Sequence, residues 1–66
     1  MIEIKFAENL KTLREARGLT QSALAEKLGV NQRTISAWEK GVCEPSYLTL
    51  ALICEFFEET FDGILL

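Results

Sequence analysis

An all-α domain of five short helices is the fold class this chain predicts, and three observations predict it. Apolar residues recur at spacings of three and four almost throughout. Glycines at 18, 29 and 41 each stand just past the end of such a pattern, where a residue free to take positive φ closes a helix. Thr20, Asn31 and Ser46 then follow a glycine or a proline by one or two residues, and all three are good N-caps.

Helix 1 spans about residues 6–17 and turns Phe6, Leu10 and Leu13 inward at i, i+4 and i+7. Helix 2, about 21–28, offers Leu24, Ala25 and Leu28, with Val30 in the turn that follows. Helix 3, about 32–40, offers Ile35 and Trp38; their three-residue spacing makes Trp38 a core residue rather than a base-stacking one. Helix 4, about 47–57, contributes Tyr47, Leu50, Ile53, Cys54 and Phe57. Helix 5, about 61–65, starts after Thr60 and adds Phe61 and Leu65; Gly63 inside it costs up to about 1 kcal/mol and predicts a short or frayed element. The opening MIEIKF alternates Ile2, Ile4 and Phe6 with Glu3 and Lys5, and reads as an extended arm or as the first turn of helix 1, with the arm favoured.

Sixty-six residues form one domain, and a chain this short is marginal unless well packed. Two cysteines without a CxxC partner, and no histidine, argue against zinc and for reduced thiols in a cytoplasmic protein. No apolar run approaches the ~20 residues of a membrane-spanning helix. Histidine, a glycine-rich phosphate loop and paired acids are all missing, which argues against an enzyme, a cofactor or a small-molecule ligand.

The net charge of −3 argues at first against nucleic acid, but its distribution does not. All seven bases lie between Lys5 and Lys40, a stretch with four acids and a net of +3, whereas residues 42–66 hold five acids and no base. On helix 3, Arg33, Ser36, Ala37 and Lys40 follow the i, i+3, i+4, i+7 rule and share a face of small or hydrogen-bonding side chains. Helix 2 and helix 3 are joined by LGVN, a short glycine-containing turn of the helix-turn-helix kind. Ala25 lets the two helices cross closely, Gly29 reverses the chain, and Val30 and Ile35 plug the angle between them. Helix 3 then buries one face and presents the other, and a helix fits the major groove of B-form DNA.

The stretch LTQSALAEKLGVNQRTISAWEKGVCEP resembles the helix-turn-helix domain of the phage repressor and Cro (XRE) family, and the resemblance runs from about Phe6 to Leu65. Its most specific parts are LTQ-x3-A-x3-G at Leu19–Gly29, TIS-x-WE-x-G at Thr34–Gly41, and EPS at Glu44–Ser46. The resemblance implies a five-helix, lambda-repressor-like DNA-binding fold. It implies that Gln32 reads adenine and that Gln21 contacts phosphate and braces Gln32. Arg33 takes a base-reading position, where an arginine pairs bidentately with guanine. Ser36 and Ala37 match further groove-facing positions, and Lys40 would reach phosphate and set register. Arg14 and Glu39 match a pair that joins helix 3 to helix 1 in some members.

One departure concerns helix 4, where Leu48 and Leu52 add an apolar strip opposite the core face, with Phe56, Ile64 and Leu66 nearby. A small monomer rarely leaves such a patch in water, so a homodimer through these residues is expected, with Ile2 and Ile4 assisting. The resulting expectation is a sequence-specific regulator of transcription, a repressor acting by occlusion of a palindromic double-stranded operator. The alternative is a protein-interaction or antitoxin module of the same fold, which the acidic C-terminal third favours.

Overall fold

The computed structural model describes residues 4–66, and among these all regular structure is helical. The elements are α1 (Phe6–Ala16), α2 (Gln21–Leu28), α3 (Gln32–Glu39), α4 (Tyr47–Phe57) and α5 (Phe61–Leu65). Each start from α2 onward carries a side-chain cap: Thr20 accepts from Ala23 N–H, Asn31 from Arg33 N–H, Ser46 from Thr49 N–H and Thr60 from Gly63 N–H. A cap of this kind satisfies one of the backbone donors that a helix leaves unpaired at its start.

The core is one cluster drawn from all five helices. Leu10, Leu24, Ile35, Ile53 and Ile64 are fully buried, and Phe6, Ala25, Trp38, Cys54 and Phe57 surround them. Phe6 and Trp38 meet edge to face, with ring centroids 6.5 Å apart. Leu13, Leu28, Val30, Leu50 and Leu65 close the margins half-buried. The chain ends are tied together: Lys5 N–H donates to Leu65 O at 2.7 Å, and Asn9 Nδ2 donates to Ile64 O at 3.0 Å. Those two bonds dock the five-residue α5 on α1. A Cβ on Gly63 would press on the Glu59 carboxylate and on the Thr60 hydroxyl that caps this helix.

Three expectations about burial are corrected. Tyr47 and Phe61 are exposed rather than in the core; Tyr47 is the first residue of α4 and overhangs the packed turns, where its ring meets Phe61 edge to face at 5.5 Å. Ile64, expected on a dimer surface, is fully buried because α5 turns that side onto α1 and the core. Helix 1 ends at Ala16 and helix 3 at Glu39, each one residue earlier than expected. Of the N-terminal segment, Ile4 and Lys5 are non-helical and exposed, and Lys5 is the N-cap residue of α1. Ile2, expected to assist a dimer, lies outside the described residues.

Candidate nucleic-acid interface

α2 and α3 form the unit on which the candidate interface rests. Gly29, at φ 72°, closes α2 in the left-handed conformation, and Val30 N–H donates back to Ala25 O at 3.0 Å. With Ala25 buried at the crossing and Ile35 and Trp38 locked into the core, the orientation of α3 about its own axis is set. Gln32 and Arg33 are exposed at its N-terminal end, and Lys40 is exposed just past its C-terminal end. Ser36 and Ala37 lie between them, half-buried.

A polar network stands behind this surface. Arg14 is buried on α1; its Nε donates to Glu39 Oε2 at 2.7 Å and its Nη2 to Glu39 Oε1 at 3.1 Å. Its Nη1 donates to Leu19 O at 2.7 Å, just before the cap of α2. One guanidinium therefore ties α1 to the start of α2 and the end of α3. The hydrogen bond that Arg14 donates to Glu39 holds the Arg14 pKa above its ordinary value, against the opposing effect of burial. Gln21 Nε2 donates to Glu39 Oε1 at 3.1 Å, and Gln32 Nε2 donates to Gln21 Oε1 at 2.7 Å. The sequence offered no sign that Glu39 bonds Gln21 as well as Arg14: the two glutamine–glutamate partners lie 18 residues apart, and only the packing of α2 on α3 joins them.

The chain that carries this α2–turn–α3 unit matches the helix-turn-helix family HTH_3 over residues 10–64. The chain belongs to the HTH_3 helix-turn-helix family. Among relatives of this HTH_3 domain, the HTH-type transcriptional activator BcrR of Enterococcus faecalis is 42% identical over 62 residues, 94% of this chain and 30% of that protein. The HTH-type transcriptional regulator MJ0272 of Methanocaldococcus jannaschii is 44% identical over 55 residues, 83% of each chain. The crystal structure of a transcriptional regulator from Listeria innocua superposes with a TM-score of 0.91 at 31% identity, over 97% of this chain and 60% of that one. The chain thus spans about a third of BcrR, and 52% of the Bacillus subtilis regulator YqaE, to which it is 40% identical.

The five residues expected at a dimer surface fall into three groups. Leu48, Leu52 and Leu66 are exposed, the first at 78%. Phe56 is half-buried against Phe57, with the Arg17 guanidinium 5.9 Å from its ring centroid. Ile64 belongs to the core, as above. Arg17 also donates to Phe57 O at 3.2 Å, so this base serves the seam between α1 and α4. A concavity of about 430 Å³, lined by Ile4, Phe6, Cys43, Pro45, Leu50 and Leu65 among others, shares no residue with the α3 surface.

Proposed function

We propose that this HTH_3 domain binds double-stranded DNA and regulates transcription, with α3 lying in the major groove. The observation that carries the reading is the opposed arrangement of α3: Ile35 and Trp38 are buried while Gln32 and Arg33 are exposed at its leading end. In this reading Gln32 and Arg33 contact base edges, Ser36 and Ala37 approach the groove floor, and Gln21 and Lys40 meet phosphates. The +3 balance of residues 5–41 supplies the field that a duplex needs, and the acids of α4 and α5 lie away in sequence.

The exposed strip of Leu48 and Leu52 supports a second element of the reading, a homodimer. Two copies would set their recognition helices in successive major grooves about 34–36 Å apart on a palindromic site. Occlusion of a promoter, hence repression, is the simplest act of the domain alone; BcrR, by contrast, carries the name of an activator.

Selection of bound sites from a random duplex library tests the whole. The expected result is a palindrome with fixed half-site spacing and binding that weakens steeply with salt. A library that yields no enriched site, with no salt-sensitive binding to any duplex, returns the domain to the protein-interaction reading. Sedimentation of Leu48→Glu beside the parent tests the dimer face; an unchanged dimer mass removes it.

A further inference from the structure

The outer face of α4 carries a knob beside a hollow. Leu48, Leu52 and Glu55 stand at i, i+4 and i+7, one exposed stripe turned away from the core. Beside the C-terminal half of this stripe, α2 and α4 leave a hollow of about 380 Å³ lined by Lys27, Leu28, Leu52, Glu55 and Phe56. Three of these side chains are apolar. The other two are one base and one acid, Lys27 and Glu55, both exposed and neither in an ion pair among the described residues.

An occupant of this hollow has to bring an apolar side chain and tolerate both signs of charge. A purely basic segment would set a base against Lys27, and a purely acidic one an acid against Glu55. A second copy of this chain meets both demands. When a two-fold axis crosses α4 at Leu52, the two α4 helices run antiparallel. The residue one turn before Leu52 then faces the residues one turn after it in the other copy. Leu48 thus arrives beside Glu55 and Phe56 of the partner subunit, over the hollow. Glu55 in exchange comes to the first turn of the partner's α4, which holds no acid and keeps its N-terminal partial positive charge.

We propose that the homodimer forms by mutual insertion, with Leu48 of each copy seated in the α2–α4 hollow of the other. The inference rests on the homodimer reading and deepens it by naming the receptor for the exposed leucine and the axis of the pair. Residues 42–66 hold five acids and no base, so a plain contact of two α4 faces would set acid against acid. The hollow answers this with Lys27, which α2 brings to the same surface.

The test is made without DNA, in a Cys43→Ser background that leaves only the buried Cys54 thiol. Sedimentation first sets a concentration at which each variant is a dimer. Leu48→Cys and Glu55→Cys are then mixed and treated with a short bismaleimide, and the products are read by mass spectrometry. The control mixes Leu48→Cys with Lys11→Cys, which is exposed on α1 and does not line the hollow. The product joining Leu48→Cys to Glu55→Cys is expected to form about tenfold faster than the control product, because insertion holds the two thiols side by side. Leu52→Cys, on the axis, is expected to link to its own copy at a similar rate. A parent that sediments as a dimer while neither link outpaces the control overturns mutual insertion and leaves a dimer through another face. If Leu48→Cys stays monomeric, Leu52→Cys decides by the same comparison. A parent that remains a monomer at every concentration defeats the homodimer reading, and the insertion with it.

Discussion

Arg14 and Glu39, 25 residues apart, meet through two hydrogen bonds of 2.7 and 3.1 Å inside the domain, and they join the first helix to the end of the third. Removing one partner of such a pair strands the other charge away from water, at a cost of about 3–5 kcal/mol. A domain of this size has a total stability of only about 3–10 kcal/mol. Arg14→Ala and Glu39→Ala are therefore expected to lower the melting temperature by 12 °C or more, taking about 4 °C per kcal/mol as the lower bound. The double Arg14→Met, Glu39→Met variant is expected to recover most of that loss, because it leaves no stranded charge. Thermal denaturation followed by circular dichroism checks the three. The raised Arg14 pKa contributes stability below the unfolded value and loses it only as pH rises through the folded one, so its share is constant at working pH.

Two helix ends adopt the left-handed conformation with different residues. Gly29 closes α2 at φ 72°, and Glu58 closes α4 at φ 55°. A side chain in this conformation costs roughly 1–2 kcal/mol. Gly29→Ala meets no steric obstacle within 4 Å, so its expected loss of about 1 kcal/mol is pure backbone strain. Glu58→Gly is expected to raise stability by up to about 1 kcal/mol, since glycine takes this conformation freely. Urea denaturation of both variants tests the pair; a shift of the same sign in each would contradict it.

The two thiols should behave as opposites. Cys43 is exposed and Cys54 is buried. An alkylating reagent is expected to label one thiol in the native protein and two in denaturant. Burial, helped by the Glu59 carboxylate, pushes the Cys54 thiol above the ordinary value of 9.0. A thiol raised on folding contributes stability below the unfolded value, and that contribution is lost as pH rises from there through the folded value. The gap in melting temperature between the parent and Cys54→Ala should accordingly narrow above about pH 9. A gap constant from pH 7 to 10.5 would rule out the coupling.

Arg33 and Lys40 occupy the two ends of the α3 surface and should fail differently. Arg33→Ala is expected to cost about 1–3 kcal/mol on the selected site and to relax preference at one base pair. Lys40→Ala should weaken binding to all sequences alike and reduce the salt slope by about 1. Titrations at several salt concentrations separate the two. A sequence-dependent loss for Lys40→Ala would move it from the phosphates to the bases.

The helices were legible in the chain because their determinants are local. Caps at Thr20, Asn31, Ser46 and Thr60, and stops at Gly18, Gly29 and Gly41, act over three or four residues, and boundaries read from them fall within one residue of the structure. The inward placement of Ile35 and Trp38, and with it the outward placement of Gln32 and Arg33, follows from the same helical period.

Tertiary packing alone decided which apolar residues of the last two helices are covered. Periodicity gives each face of α4 and α5 but not the neighbour opposite it, so it predicts Tyr47 and Phe61 inward and Ile64 outward, whereas the reverse holds. The same limit hid the link from Glu39 to Gln21. A hydrogen bond between residues on different helices has no sequence period, and it exists only because the crossing of α2 and α3, closed by Ala25 and Gly29, brings the two side chains within 3.1 Å.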